Sequence, residues 1–115
     1  MIILGVDPGL QVAGFCVAAV VNGKTRLLEA GVLTLKPKDP LSKRVRLFHD
    51  FIQNKIKQYQ ITTIALETPF LGRNTQSFLK LGYLRGILYL LADQYQLTIY
   101  EFAPTQVKQA VTGYF

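Results

Sequence analysis

The sequence predicts an α/β domain in which helices pack on a mixed β-sheet. Its 115 residues suffice for one domain with its own core and leave no room for a second domain. Half of the residues are apolar and 17% are charged, a composition typical of globular proteins. Segments suited to regular structure follow in the order of three strands, a helix, a strand, a helix, a strand and a helix. A hairpin meander followed by β-α-β crossovers produces a mixed sheet covered by helices.

The first three elements are predicted to be strands. Met1 to Asp7 is apolar on both faces, which is typical of a central strand. Val12 to Val21 is a second apolar run, and it ends at Asn22-Gly23, a dipeptide typical of tight hairpin turns. Arg26 to Leu35 returns as the third strand. Because the first strand is the most uniformly apolar of the three, we expect it at the centre of the sheet.

An amphipathic helix follows the third strand. Asp39-Pro40 is typical of a helix N-cap with proline at the first helical position. Apolar residues then recur at steps of three and four, which is the helical period. His49 falls on the polar side, where we expect it to be solvated rather than catalytic. The apolar residues of this helix are Leu41, Val45, Phe48, Ile52, Ile56 and Tyr59.

The second half of the chain predicts a strand, a long helix and a last strand. A β-branched run from Ile61 to Leu66 ends in Glu67. The helix from Thr75 to Tyr95 is apolar almost all round, so we expect it to be buried on more than one side. Leu97 to Phe102 is the last strand, and a short helix is predicted from Thr105 to Val111.

The long helix carries two glycines, Gly82 and Gly86, that are four residues apart. This spacing places them on one face, where they would allow another backbone to approach closely. A buried core helix and a subunit interface both remain open on this pattern.

The charge balance favours a polyanionic partner such as nucleic acid. Thirteen Lys and Arg residues face seven Asp and Glu residues, for a net charge of +6 and a pI near 9.6. Five of the basic residues cluster within eleven positions, which a solvated loop and helix face would also explain. They are Lys36, Lys38, Lys43, Arg44 and Arg46.

The sequence disfavours a secreted, disulfide-bonded or membrane-spanning protein. Cys16 is the only cysteine, which excludes an internal disulfide and fits a reducing cytoplasm. The longest apolar stretch, Phe78 to Ala92, contains Lys80 and Arg85 and is shorter than the about 20 apolar residues of a membrane span. No basic segment precedes the first apolar run, so we expect no signal peptide.

Two acids, Asp7 and Glu67, share one context: each ends an apolar strand shortly before a proline. If their strands are parallel neighbours, both carboxylates emerge at one edge of the sheet. Oxygen ligands of this kind suit Mg²⁺, and a pair of such ions can act on both sides of a phosphoryl displacement. The alternative is a surface turn at each site, since Pro8-Gly9 after Asp7 also suits a type II turn.

The loop after Glu67 reads Phe70-Leu71-Gly72-Arg73-Asn74. An aromatic residue at a loop tip can wedge against bases while Arg and Asn contact phosphates or base edges. The alternative is that Phe70 and Leu71 cap the hydrophobic core.

Three segments together, ILGVDPGLQVAGF, LETPFLGRNTQSFLKLGYLRG and FAPTQVKQAVTGY, resemble the RuvC family of Holliday junction resolvases in order and separation. The run N-x-x-[S/T]-x-x-K-L-G-x-x-R-G is highly specific, and the resemblance covers essentially the whole chain. It implies a ribonuclease-H-like fold, a mixed five-stranded sheet with helices on both faces. It also implies a homodimer that nicks four-way DNA junctions with two Mg²⁺ ions per complete site and works with branch-migration helicase machinery.

The resemblance assigns roles residue by residue. Asp7 and Glu67 match the first two catalytic, metal-binding acids of the family. Lys108 matches a lysine close to the active site, and Phe70 matches the loop aromatic that probes the junction. The long helix with its two glycines matches the dimer-forming helix. The positions that face DNA are matched by Arg73, Asn74 and Lys80.

The match to the family is incomplete at one point. The family continues past this region into a helix with two further acids, whereas no acid follows Glu101 here. We therefore expect residues 1–115 to form a single ribonuclease-H-like nuclease domain, truncated before that helix, with a half-built metal site and little or no cleavage.

Other functions remain open. A junction-binding dimer without catalysis would need the basic charge and the Phe70 loop but not the missing acids. A related ribonuclease-H-like RNA-processing nuclease has a similar first motif, although the LKLGYLRG run argues against it. The first loop, from Gly5 to Gly9, also resembles the phosphate loop of nucleotide-binding ATPases and sugar kinases.

Overall fold

The computed structural model describes residues 1–67 and 75–102, with the side chains of the second helix from residue 79 onward. The seven elements of these ranges were all predicted, with ends that differ by at most two residues. The predicted short helix from Thr105 to Val111 lies outside the described residues. The elements are β1 (Ile2–Asp7), β2 (Val12–Val21), β3 (Lys24–Thr34), α1 (Leu41–Tyr59), β4 (Thr63–Glu67), α2 (Thr75–Gln94) and β5 (Thr98–Phe102).

The strands form one five-stranded sheet in the order β3-β2-β1-β4-β5. β1 is antiparallel to β2 and parallel to β4, and β4 is parallel to β5. The mixed sheet and the central position of β1 are therefore confirmed. The hairpin turn is also confirmed, because Asn22 and Gly23 have φ angles of 54° and 75°, as a type I′ turn requires.

The hydrophobic core lies on one face of this sheet. Leu4 and Val6 of β1 and Leu66 of β4 are buried there against both described helices. α1 contributes Phe48, Ile52 and Ile56, at the helical spacing that its sequence predicted, and α2 contributes Leu84, Leu88 and Leu91. Helices were predicted on both faces of the sheet, and both described helices lie on the core face. A helix on the opposite face would have to come from residues outside the described ranges.

A charged cluster fixes α1 to β3. The Lys55 ammonium donates to both carboxylate oxygens of Glu29, at 2.8 and 2.9 Å, and lies 5.2 and 5.3 Å from the ring centres of Phe15 and Phe51. The Tyr59 hydroxyl donates to the same carboxylate at 2.7 Å. The hydrogen bonds from Lys55, and to a smaller extent the one from Tyr59, hold the pKa of Glu29 below its usual range. The cluster gives the helix a fixed position against the strands.

The predicted N-cap of α1 at Asp39 is wrong. Pro40 occupies the N-cap position, with an extended ψ of 148°, and no side chain caps the helix. Asp39 instead forms an ion pair with Lys43 in the first turn, at 3.6 Å. Its negative charge still lies near the helix N-terminus, where it is favourable to the helix dipole.

The prediction that α2 is buried on more than one side is wrong for the described residues. Leu84 and Leu88 are fully buried, but Leu79 is 64% exposed and Tyr83 is 55% exposed. Leu90, on the same exposed side, keeps 48% of its surface in solvent. The reason is that the sheet and α1 cover one face of α2, and no other described element covers the opposite face.

Neither described helix has the length and apolarity of a membrane span.

Candidate active site at the ends of β1 and β4

The two acids predicted to form a site lie at the ends of neighbouring parallel strands. Ile3 to Val6 of β1 pair in register with Thr63 to Leu66 of β4. One residue further along each strand are Asp7 and Glu67, and strand axes in a sheet are about 4.8 Å apart. Because Val6 and Leu66 face the core, Asp7 and Glu67 lie together on the opposite face. The predicted parallel pairing of the two strands is thereby confirmed, and it brings both acids to one edge of the sheet.

The surroundings of Asp7 affect its charge. Asp7 is at the surface, yet partial burial of its carboxyl raises the pKa. On the β2 side it pairs with Gly14, where an added Cβ would lie 3.8 Å from the Asp7 Cβ. Glu67, at the other side, is half-buried. The site is thus open to solvent but shielded enough to disfavour an uncompensated negative charge.

The loop after Asp7 is not the type II turn that Pro8-Gly9 suggested. That turn requires a positive φ at Gly9, and Gly23 is the only glycine of the described residues with a positive φ. Gly9 is needed for a different reason, because an added Cβ would lie 2.0 Å from the carbonyl oxygen of Val12. The loop folds tightly against the start of β2, which leaves no room for a side chain.

Basic residues gather at the same end of the sheet as the two acids. β3 runs parallel to β1, and its last residue, Thr34, pairs with Val12 at the start of β2. The amide of Leu35 then donates to the carbonyl of Gln11, at 2.7 Å. The exposed lysines Lys36 and Lys38 follow directly and therefore lie at this end.

The remaining predicted site residues fall into two groups. Lys80 is exposed in the second turn of α2, the helix that follows β4 and its two-acid end. The others, Phe70, Arg73, Asn74 and Lys108, lie outside the described residues, and their roles stay predictions.

Lys36 and Lys38 were not predicted to lie at this site. The hairpin dipeptide Asn22-Gly23 was sufficient to predict that both lysines lie at this end of the sheet. A hairpin returns the third strand parallel to the first, so the segment after β3 emerges at the end where Asp7 lies.

Glu101, the last acid of the sequence, does not extend the site. It pairs with Leu66 across β4 and β5, and so it lies on the core face, opposite to Glu67. There its carboxylate forms an ion pair with Arg85 of α2. Within residues 1–67 and 75–102, no three acidic, His or Cys side chains gather as metal ligands do. Of the acids in these ranges, Asp7 and Glu67 are the two that end the neighbouring parallel strands β1 and β4.

A protein-family model for the crossover junction endodeoxyribonuclease RuvC matches residues 3–115. The chain belongs to the RuvC family. The RuvC of Chlorobium chlorochromatii is 42% identical over 98% of this chain and 59% of its own length. That of Rickettsia africae is 38% identical over 99% of this chain and 73% of its own length.

The fold agrees with this membership. T. thermophilus RuvC, solved in complex with a Holliday junction substrate, superposes with a TM-score of 0.86. Its sequence is 29% identical over 97% of this chain and 72% of that chain. The ribonuclease-H-like fold of the RuvC family is thus confirmed. The chain spans between 59% and 73% of the two curated relatives named above.

Proposed function

We propose that this RuvC-family chain is the nuclease domain of an enzyme that resolves four-way DNA junctions by metal-dependent phosphodiester hydrolysis, in recombination and repair. The observation that carries the proposal is the parallel register of β1 and β4, which brings Asp7 and Glu67 to one edge of the sheet. The likeness to T. thermophilus RuvC, which is solved with its junction substrate, supports the choice of DNA.

The two carboxylates fit Mg²⁺ as the metal. In proteins this ion is commonly held by one or two carboxylates together with phosphate oxygens of the substrate and water. Asp7 and Glu67 would hold it, on a face that is open to a large substrate. When bound, the ion supplies a Lewis acid for the phosphate and lowers the pKa of a bound water. In the same proposal Lys108 stabilises developing charge and Phe70 helps to distort the junction.

We propose that this chain, with two site acids, binds junctions better than it cuts them. The runner-up function, a junction-binding dimer without catalysis, differs only in the absence of any cleavage. The experiment mixes the chain with a labelled four-way junction in Mg²⁺, beside linear duplex DNA and the Asp7→Asn variant, and reads binding and nicking on gels. Selective binding of the junction with little nicking is the expected result, whereas efficient nicking that Asp7→Asn removes would support the nuclease and contradict the weak cleavage proposed for this chain. The absence of any preference for the junction over duplex would contradict both functions.

DNA binding is expected to depend on the basic end of the sheet. Lys36 and Lys38 lie at the end that carries the two acids, whereas Lys24 lies beside the hairpin turn at the opposite end. Each lost phosphate contact reduces the salt dependence of log affinity by about one. The double variant Lys36→Gln and Lys38→Gln should therefore lower this slope by about two, and Lys24→Gln should leave it unchanged. Fluorescence anisotropy of a labelled junction over a salt series gives the slope, and equal slopes in all three proteins would contradict this placement.

We also propose that the exposed face of α2 packs against a second copy of the chain. Leu79, Tyr83 and Leu90 present a row of exposed apolar side chains at helical spacing. Gly82 and Gly86 lie on this helix with open space where a Cβ would be, so that a second backbone could approach. A partner helix would bury the apolar surface that the described residues of one chain leave in solvent.

The dimer can be tested with a matched pair of leucines. Leu79 on α2 and Leu27 on β3 are 64% and 63% exposed in the single chain. Burying a leucine contributes about 1.5–3 kcal/mol, so a buried charge in both copies should weaken the dimer by about 100-fold or more. Sedimentation velocity should show a dimer for the wild type and for Leu27→Glu, and a monomer for Leu79→Glu. A wild-type monomer, or a dimer that survives Leu79→Glu, would contradict this interface.

Two further parts of the proposal rest on family membership. A resolvase of this family would act in the cytoplasm, where the single cysteine, Cys16, would stay reduced. It would also receive junctions from branch-migration helicase machinery.

A further inference from the structure

The loop that follows Asp7 is held from outside by two later segments of the chain. It connects β1 to β2 in four residues, from Pro8 to Gln11. The carbonyl of Gln11 accepts from the Leu35 amide at 2.7 Å, and the carbonyl of Leu10 accepts from Nη1 of Arg44 at 3.3 Å. Leu35 is 1% exposed, so the first of these contacts is well shielded. Both contacts use carbonyls that the sheet leaves without strand partners.

Arg44 reaches the loop from a rigid support. It lies one turn before Phe48 on α1, and Phe48 is fully buried in the core. Within the described residues its guanidinium forms no ion pair with a carboxylate. Its Nε is buried and has no hydrogen-bond partner there. Burying part of an arginine is unfavourable, and among the described residues the hydrogen bond to the Leu10 carbonyl offsets part of that penalty.

A movement of Leu10 would be transmitted to Asp7. Three peptide bonds separate the two residues, and the loop between them has no slack, because Gly9 packs against the Val12 carbonyl without space for a Cβ. Pro8 further restricts the backbone, since its ring fixes φ. The direction of the Asp7 side chain therefore depends on where the Leu10 carbonyl is held.

We propose that Arg44 is a positioning residue, which holds the Leu10 carbonyl and thereby fixes the loop that orients the Asp7 carboxylate. The inference rests on the proposed function in that Asp7 is taken as a site acid. Arg44 acts through the backbone and does not touch substrate or metal. It differs in this from the exposed lysines Lys36 and Lys38, for which contacts with DNA are proposed.

The test compares Arg44→Met with Arg46→Met in the full chain. Arg46 lies two positions further along the same helix and is exposed. Both variants replace one arginine by methionine and therefore lose the same charge. Hydrogen exchange of the Leu35 amide reports opening of the loop, because its acceptor is the Gln11 carbonyl. The Thr98 amide, which donates to Thr62 at the other end of the sheet, reports general loosening. Titration with Mn²⁺, followed by broadening of the Asp7 and Glu67 signals, gives the ion affinity.

We expect Leu35 to exchange about tenfold faster in Arg44→Met, since a hydrogen bond from a charged group is lost. Mn²⁺ affinity should fall by about threefold to tenfold, since lost support of a ligand weakens ion binding. Arg46→Met should change neither quantity, and Arg44→Lys, which keeps a cationic donor, should restore part of both.

Three results overturn the positioning role of Arg44: unchanged exchange at Leu35, equal acceleration at Leu35 and Thr98, or faster exchange with unchanged Mn²⁺ affinity. A wild-type chain that shows no Mn²⁺ effect at Asp7 and Glu67 overturns the proposed metal site instead. The two failures are thus separated, because one is read in the variant and the other in the wild type.

Discussion

Asp7→Asn is expected to lower the affinity for Mg²⁺ by about 100-fold or more and to remove any nicking of four-way junctions. An amide keeps the shape of the carboxylate but loses the charge and one anionic oxygen ligand. Glu67→Gln should act in the same way, because the register of β1 and β4 places both acids at one edge. Isothermal titration with Mg²⁺ and a gel assay of junction nicking measure the two effects.

The control for this prediction is Asp93→Asn. Asp93 is an exposed acid near the end of α2, so its loss changes the net charge by the same amount without touching the site. Ion binding that survives in both Asp7→Asn and Glu67→Gln, or that falls equally in Asp93→Asn, would contradict the assignment of the two acids.

The same substitution should make the folded chain more stable at neutral pH. Burial raises the pKa of Asp7 above its ordinary value of 3.8, so the folded state binds this proton more tightly than the unfolded state does. Stability therefore falls as the pH rises past that ordinary value and through the raised pKa, and the charged form is the disfavoured one at pH 7. We expect thermal unfolding of Asp7→Asn to occur at a higher temperature than wild type at neutral pH, with a gain that vanishes in acid. A lower unfolding temperature at neutral pH would contradict this account.

Gly9→Ala is expected to destabilise the fold by about 2–4 kcal/mol, a decrease of about 10 °C in Tm. The added Cβ would lie 2.0 Å from the Val12 carbonyl oxygen, so either the loop or the start of β2 must move. Neither is free to do so, because Val12 pairs with Thr34 in the sheet and Gln11 accepts from Leu35. Thermal unfolding followed by circular dichroism measures the effect.

Gly14→Ala provides the comparison for Gly9→Ala. Its added Cβ would make an ordinary contact of 3.8 Å with the Asp7 Cβ, so we expect a change of about 0.5 kcal/mol or less. Similar destabilisation in the two variants would show that the loss of glycine flexibility, rather than the clash at residue 9, governs the result.

Local patterns in the sequence determined most of the elements correctly. The helical spacing between Leu41 and Tyr59 gave both ends of α1, and Asn22-Gly23 gave the hairpin. The match of context at Asp7 and Glu67 predicted their common edge, because the carboxyl ends of parallel neighbours coincide. These features depend on period and turn chemistry, which short stretches of sequence carry.

Features that depend on tertiary placement were missed or wrong. The need for Gly9 arises from the Val12 carbonyl across a loop, and the turn residues alone suggested a different conformation. Because α2 is apolar almost all round, its sequence could not indicate which face packs against the sheet. The exposure of Leu79 was therefore not predicted. Arg44 appeared as one member of a basic run, and only the position of α1 against the loop distinguishes it from Arg46.

The alternation of side chains along β1 and β4 also governs how the chain can misfold. Leu66 and Glu67 are adjacent, and one faces the core while the other faces the site. A slip of β4 by one residue along β1 would turn Glu67 towards the core and Leu66 towards solvent, so the core and the acid pair would be lost together. Binding of a divalent ion during refolding would therefore report that the two strands have paired in the native register.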